Sequence, residues 1–265
     1  MNVFSTSVTR TIHNGSRILS LTALLLAGIT ASAVAKNAPL SDDWQFSAYG
    51  YMWGAGIGGE SATGTDLDIS FSDILDNLDI SLMGGVVATK GRFTLLGDFI
   101  YMDLAHTNKD RVTLGPDTVN SKIDIEMTAW VINLLGGYKV YHGDTFSLDV
   151  VGGARYLDID IRVDARVGDS DDVDGDSDIW NSVVGLSGKY SLTDKWFLTA
   201  YGDVGTGDTN LTWQAKVGIR YVIESWELLA GYRYLAWEFD DGDTMGSSLN
   251  ELTLSGPYFG VGYNF

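Results

Sequence analysis

A period-two alternation of apolar and other residues runs through most of the chain and constrains the fold more than any other feature of the sequence. Alternate side chains of a β-strand point to opposite faces, so each segment has one apolar face and one free to be polar. The segments contain about ten residues or more, the length at which a tilted strand crosses a hydrocarbon layer. We identify ten: 44–54, 78–90, 93–105, 122–140, 146–163, 179–190, 196–205, 210–222, 226–239 and 249–265.

The connections between these segments alternate in length, apart from a short one at 206–209. An even strand count with short turns at one end and long loops at the other is typical of bacterial outer-membrane barrels. A soluble β-sandwich, the alternative, has no reason to sort its loops in this way. Short turns are predicted at 90–92, 141–145, 191–195 and 223–225, and long loops at 55–77, 106–121, 164–178 and 240–248.

The apolar faces begin and end on aromatic residues, with aliphatic residues between them. One such face runs from Phe93 to Tyr101, and another from Trp226 to Tyr234. Lipid-facing strands have this order, whereas a soluble sandwich gathers its aromatic residues at the centre. The sequence therefore predicts an all-β fold, a transmembrane antiparallel up-and-down β-barrel of about ten strands, with eight to twelve as the range.

The first 35 residues have the layout of a secretory signal peptide. A basic start is followed by an apolar run at 18–29, too short to span a bilayer as a helix, and by the cleavage pattern Ala33-Val34-Ala35. An uncleaved membrane anchor is the alternative. We predict a signal peptide at 1–35 and an outer-membrane β-barrel at 36–265, exported to the bacterial outer membrane.

The predicted mature chain is strongly acidic. The signal peptide removes two of the 17 Lys and Arg and none of the 35 Asp and Glu, leaving 15 against 35 and a net charge of −20. No basic cluster is present to bind nucleic acid, and without cysteine the fold cannot depend on disulfides. The expected partners are outer-membrane lipid, lipopolysaccharide and the barrel-assembly machinery, and the oligomeric state is left open.

The chain ends in an alternating apolar segment. Phe259, Val261, Tyr263 and Phe265 resemble the terminal signature of outer-membrane barrel proteins, which implies recognition by their assembly machinery. Pro257 lies in the same segment and lacks an N–H group, and a closed barrel has no free edge to hide that missing donor. We therefore predict a bulge at Pro257, or regular pairing that begins after it.

A second resemblance covers roughly residues 44–105. This region is similar to a group of uncharacterised proteobacterial outer-membrane β-barrels, which implies the barrel fold and the outer-membrane location. The resemblance implies no activity and no functional residues. The similar features are Trp44, Phe46, Tyr51 and Trp53, the loop SDIL-x-N-L from Ser72, the Gly-Arg-aromatic turn at Gly91 and the strand GDFIYMDL from Gly97.

The charged residues on the non-apolar faces are the first candidate site. A charge cannot remain alone in a narrow, poorly hydrated lumen, so these residues should pair. One hypothesis is an ion-pair network that plugs the barrel, because side chains roughly fill the interior of a barrel this small. The alternative is a charged constriction that selects ions or small solutes. The predicted lumen network is Asp98, Asp149, Arg155, Asp203, Lys216, Arg220 and Arg233.

The acidic loop at 164–178 is the second candidate site. The EF-hand pattern fails there, because Ser170 and Asn181 occupy its first and last ligand positions. No cofactor is expected beyond a weakly held Ca²⁺ or Mg²⁺ that could bridge to lipopolysaccharide phosphates, and a solvated loop is the alternative. The weak ligand candidates are Asp169, Asp171, Asp172, Asp174 and Asp176.

No catalytic constellation is apparent. His106 and His142 are the histidines of the mature chain, and neither belongs to a nucleophile or metal motif. We predict a non-enzymatic barrel with a structural or surface-interaction role, a plugged lumen and acidic external loops. A narrow passive channel is the alternative, and a surface hydrolase is a distant one. Residues 72–78 have helical spacing and are predicted to form one or two turns at the barrel mouth.

Overall fold

A computed structural model describes residues 37, 39–61, 66–70, 72, 78–114, 117–167, 169–239 and 249–265. At 61, 66–69, 78–80, 104–114, 117–127, 161–167, 169–177 and 249 the description covers the backbone only. The predicted signal peptide lies outside these residues, as does most of the predicted helical segment 72–78. Within the described residues, no helix has the length and hydropathy needed to cross a membrane.

The strands belong to a single antiparallel sheet. They are β1 (Gln45–Trp53), β2 (Gly56–Ser61), β3 (Asp66–Ile69), β4 (Leu78–Lys90), β5 (Phe93–Leu114), β6 (Asp117–His142), β7 (Phe146–Val167), β8 (Asp169–Ser191), β9 (Trp196–Gly207), β10 (Leu211–Ile223), β11 (Trp226–Glu238) and β12 (Leu249–Asn264).

The sheet closes on itself because β1 pairs with both β4 and β12. The closed ring contains ten strands, β1 and β4 to β12, which confirms the predicted antiparallel barrel. β2 extends the first strand along β12, and β3 pairs with β2. The tight connections after β4, β6, β8 and β10 lie at one end of the barrel, here called the short-turn end.

The irregularity predicted at Pro257 occurs in the neighbouring strand. Pro257 pairs regularly with Tyr232 of β11. On the other side, the β1 ladder ends at Trp53 and pairing resumes in β2 at Gly56. Pro257 accepts a hydrogen bond from the Gly54 N–H at 2.8 Å but has no N–H to return. The missing donor therefore interrupts the first strand between β1 and β2.

The same junction leaves no room for a side chain at Gly256. A Cβ atom there would lie 1.9 Å from the Gly54 carbonyl oxygen. We expect Gly256→Ala to lower the free energy of unfolding by about 1–3 kcal/mol, because backbone must shift to relieve the clash. Urea unfolding of the micelle-bound protein measures this. The matched control is Gly97→Ala, whose Cβ would meet only side chains at 3.7 Å or more, and equal losses in both variants would contradict the expectation.

The barrel exterior carries two girdles of aromatic side chains separated by an apolar band. In the first girdle, near the short-turn end, the ring centres of Trp196 and Tyr221 are 4.5 Å apart. In the second girdle, towards the other end, the ring centres of Trp213 and Tyr234 are 4.5 Å apart. Tyr221 and Trp213 are eight residues apart on β10, a rise of about 20–25 Å for a strand tilted by roughly 40°. That height matches the apolar band of outer-membrane barrels. Exposed aliphatic side chains between the two aromatic girdles include Leu95, Leu134, Val150, Val184, Val217 and Val261.

The outward-facing side chains become acidic just beyond the second aromatic girdle. In this girdle the ring centres of Tyr156 and Trp180 are 4.7 Å apart, and the Tyr156 hydroxyl donates a hydrogen bond to Asp158 at 2.9 Å. Tyr101 likewise lies beside Asp103, at 3.4 Å. These tyrosines place an apolar ring towards the band and a hydroxyl on the charged side, as expected at a membrane–water boundary.

The prediction of loops at 106–121 and 164–178 is wrong, because β5, β6, β7 and β8 extend into these segments. β5 and β6 pair as far as Leu114 and Asp117, and β7 and β8 as far as Val167 and Asp169. β6 also pairs with β7 as far as Lys122. The projecting parts form a four-stranded extension, here called the outer sheet, of residues 105–114, 117–126, 162–167 and 169–174. Ten residues at about 3.4 Å each extend the β5–β6 part about 30 Å beyond the barrel, and six residues extend the β7–β8 part about 20 Å.

Candidate functional site: the barrel lumen

The lumen half far from the short-turn end is filled by apolar side chains. Trp237, Leu235 and Val131 have no exposed surface, and they pack with inward-facing residues from most of the surrounding strands. Among the described residues, most of the buried inward-facing side chains at this level are apolar. Its other members include Trp53, Met83, Ile100, Met102, Leu157, Ile159, Ile179, Phe239, Leu252 and Leu254.

A fully buried ion pair lies next to this layer. Arg155 of β7 donates from Nη2 to both carboxylate oxygens of Asp203 on β9, at 2.6 and 2.8 Å, and both side chains are 0% exposed. Tyr201 and Gln214 also donate to Asp203. A buried carboxylate with four donated hydrogen bonds has most of its lone pairs satisfied, which makes a buried ion pair tolerable.

A second buried ion pair joins β11 to β5. Arg233 lies 3.2 Å from Asp98 and donates a hydrogen bond to Tyr51 at 2.8 Å. Tyr51 and Tyr49 in turn donate to Asp98, at 3.0 and 3.3 Å. The guanidinium also lies 4.9 Å from the centre of the Trp53 ring, a cation–π distance. Side chains of β1 therefore contact both members of this ion pair.

Asn133 on β6 links the two ion pairs. Its Nδ2 donates to Asp98 at 3.3 Å, and its Oδ1 accepts from Arg155 Nε at 2.9 Å. The chain of contacts from Asp203 through Arg155, Asn133 and Asp98 to Arg233 crosses the lumen, and we call it the polar belt. The polar belt and the apolar layer are successive layers of buried side chains along the lumen.

The remaining predicted network residues lie outside the polar belt. Asp149 pairs with Lys139 at 3.2 Å, and Arg220 pairs with Glu227 at 3.2 Å, both towards the short-turn end. Lys216 has no carboxylate within ion-pair distance among the described residues. The structure therefore brings four of the seven predicted residues, Asp98, Arg155, Asp203 and Arg233, into one network and distributes the other three around a cavity.

That cavity has a volume of about 300 Å³ and occupies the short-turn half of the lumen. A larger concavity of about 760 Å³ lies on the outer, lipid-facing side of β1 and β4–β6, and its lining is almost wholly apolar. Only the inner cavity is bordered by ionisable groups, so it is the one relevant to binding chemistry. Its charged lining residues are Asp98, Lys139, Asp149, Lys189, Lys216, Arg220, Glu227 and Arg233.

The segment before β1 runs along the short-turn end of the barrel. Asn37 donates to the Gly143 carbonyl at 2.8 Å and accepts from the Ser191 hydroxyl at 3.0 Å. The Ser41 carbonyl then accepts from the Gly91 N–H at 2.7 Å, in the neighbouring turn. This N-terminal strap thus connects the turn after β6 to the turn after β4 before entering β1.

The predicted cation site and the two histidines lie outside the lumen network. The weak cation candidates Asp169 to Asp176 belong to β8, where only the backbone is described, so this site remains a prediction. Elsewhere in the described residues, no group of three or more potential ligands is positioned to hold a metal ion. His106 pairs with Ile125 in the outer sheet and His142 ends β6 at the short-turn end, so the two histidines do not share a site.

The terminal aromatic residues face outwards at the barrel seam. Phe259, Val261 and Phe265 are exposed, and Tyr263 packs between Trp226 and Phe265 at 4.8 and 5.1 Å. Sequence reasoning did not identify Tyr51, Asn133, Thr212 or Gln214, which complete the polar belt. The only sequence feature that could identify them is their position on the inward face of predicted strands, and many residues without a role in the polar belt share that position.

Comparisons with known proteins match the barrel architecture and no family. No family model and no curated protein matches the chain. Among solved structures, it is similar to the translocator domain of autotransporter NalP from Neisseria meningitidis, with 18% identity, a TM-score of 0.47 and coverage of 86% of this chain and 90% of that one. It is also similar to the outer membrane protease OmpT from Escherichia coli, with 9% identity, a TM-score of 0.48 and coverage of 86% and 99%.

A third similar structure is Ail, the attachment invasion locus protein of Yersinia pestis, with 9% identity, a TM-score of 0.33 and coverage of 84% and 99%. All three TM-scores are below 0.5, and these similarities assign no activity to this chain.

Proposed function

We propose that the protein is a non-enzymatic anchor in the bacterial outer membrane that presents its outer sheet at the cell surface. The observation that supports this proposal is the packing of the lumen, where buried apolar side chains surround Trp237 and a network of buried ion pairs includes Arg155. We infer that these two layers close the barrel, and a closed barrel is suited to holding a surface structure rather than to passing solutes.

The outer sheet supports an interaction role. Within the described part of the chain, β5 beyond Ala105 pairs only with β6, and β8 before Asn181 pairs only with β7. Each of these strands therefore has one open edge, to which an extended segment of a partner could add. The closely spaced aspartates of β8 would oppose unspecific edge-to-edge association. Bridging by divalent cations to lipopolysaccharide is a further part of this proposal.

Single-channel recording in planar bilayers tests the sealed lumen. We expect the refolded mature protein to show no steady open-state conductance, because ions would have to cross the apolar layer. A gel with and without heating is run beside it, since a folded barrel migrates differently from its heated form. Steady conductance from heat-modifiable protein would overturn the sealed-anchor proposal.

A narrow passive channel is the second candidate, and the charged cavity in the short-turn half favours it. In that case the apolar layer would have to open, and the same recording would detect brief conducting events. Complete silence under an applied voltage, from protein shown to be folded, would exclude this candidate.

A further inference from the structure

The cavity in the short-turn half of the lumen carries more positive than negative charge. Five of its lining residues are cationic, and three are anionic. Three ion pairs use all of the carboxylates: Lys139 with Asp149, Arg220 with Glu227, and Arg233 with Asp98. Lys189 and Lys216 are left over. This excess is unusual in a mature chain whose predicted net charge is −20.

Strand register places one of the surplus lysines next to another cation. Lys216 of β10 lies directly opposite Arg233 of β11, and like charges in this position destabilise a sheet. On its other side Lys216 faces Tyr201, whose ring centre lies 4.9 Å from its ammonium nitrogen. An aromatic face stabilises an ammonium group less than a carboxylate does, so the repulsion is only partly offset.

Lys189 lies one step nearer the short-turn end. It pairs in register with Thr199, two residues before Tyr201 on the same face of β9. Its ammonium nitrogen lies 5.3 Å from the centre of the Phe197 ring, and no carboxylate of the described residues is within ion-pair distance. Lys189 and Lys216 therefore lie on the two strands that flank β9, and both line the same cavity.

Neutral hydrogen-bond donors complete the cavity wall. Ser47, Thr94, Ser147 and Ser187 carry hydroxyl groups and line the same space, as does Thr199, whose hydroxyl donates to the Gly218 carbonyl at 3.4 Å. Ammonium and hydroxyl groups together are the donor set that binds phosphate, sulfate and carboxylate groups. A cavity of about 300 Å³ is at the small end for ligand sites.

We propose that this cavity is a binding site for a small oxyanion, which Lys189 and Lys216 hold at the short-turn end of the lumen. The anion supplies the negative charge that Lys216 lacks beside Arg233. The site goes beyond the sealed-anchor function and does not depend on it, because the polar belt and the apolar layer lie on the far side of the cavity from the short-turn end.

Thermal unfolding in detergent micelles with inorganic phosphate tests the site. We expect phosphate, and not chloride at equal ionic strength, to raise the midpoint of unfolding of the mature protein. The double variant Lys189→Gln with Lys216→Gln should bind phosphate at least about tenfold more weakly, because charged donors become neutral. The matched control is Lys195→Gln, an exposed lysine in the turn after β8, which should respond to phosphate as the wild type does.

A second readout keeps the test valid if the double variant is altered in stability. Without phosphate, Lys216→Gln alone should unfold at a higher temperature than the wild type, because it removes the like-charge opposition to Arg233. The proposal is overturned if the wild type shows no phosphate response at about 10 mM, tenfold above a Kd of about 1 mM. It is also overturned if the double variant responds as strongly as the Lys195→Gln control.

Discussion

Replacing Arg155 with Met is expected to lower the free energy of unfolding by about 3–5 kcal/mol, because it leaves the Asp203 carboxylate buried without its counter-charge. Arg155 has no exposed surface and touches Asp203, Asn133 and Thr212. Tyr201 and Gln214 would still donate to Asp203, but they supply no positive charge. Urea unfolding in micelles, followed by the loss of heat-modifiable migration, measures the effect.

The double variant Arg155→Met with Asp203→Leu is the control that identifies the cause. Removing both charges leaves no buried ion, so this variant should recover much of the stability lost in the single variant. The coupling energy from the complete double-mutant cycle then measures how strongly the two side chains depend on each other. If the two single losses simply add in the double variant, the ion pair does not act as a unit and our account of the polar belt fails.

Replacing Trp237 with Ala is the second large expected effect. Trp237 is fully buried in the apolar layer, and truncating such a side chain costs about 3–5 kcal/mol through lost contacts and the cavity left behind. The variant should also show ion leakage in planar bilayers, because water can enter the space that the indole filled and hydrate the charged side chains of the polar belt next to it. Unfolding and conductance are measured on the same preparation.

Two further variants separate lumen packing from general damage. Trp237→Phe keeps most of the volume and removes an indole N–H that has no hydrogen-bond partner among the described residues, so it should lose much less stability. Trp180→Ala makes the same truncation on the outside of the barrel, where Trp180 is half exposed and contacts Tyr156. It should lower the free energy of unfolding by about 1 kcal/mol and cause no ion conductance in the bilayer. Leakage from Trp180→Ala would remove the link between the apolar layer and the seal.

The barrel itself could be predicted from the sequence because lipid imposes a simple rule on every strand. The bounds of β4 agree with the predicted segment at both ends, since its apolar face runs up to the turn at Gly91. The same rule failed for the outer sheet. Beyond Ala105 and before Asp178 the strands lie outside the apolar band, so alternation no longer marks them. There, continued backbone pairing from the barrel determines the structure instead.

The lumen could be predicted only in part for a different reason. Period-two alternation placed Asp98, Arg155 and Arg233 on inward faces, as the structure has them. Which inward charges meet depends on the stagger between strands that are distant in sequence, such as β7 and β9. The surplus charge at Lys216 became visible only once its opposition to Arg233 and the partners of the three carboxylates were known.

The seam between β1 and β12 has a consequence for the order of the chain. Phe265 donates its N–H to Phe46 at 2.9 Å, so the C terminus and the start of the first strand lie side by side. A short linker could join them, and the chain could be opened instead in the turn at 143–145. We expect such a circular permutant to keep every strand pair of the barrel while no longer ending in Phe. It would therefore test whether insertion of the barrel depends on Phe265 being the last residue, as the predicted assembly signal requires.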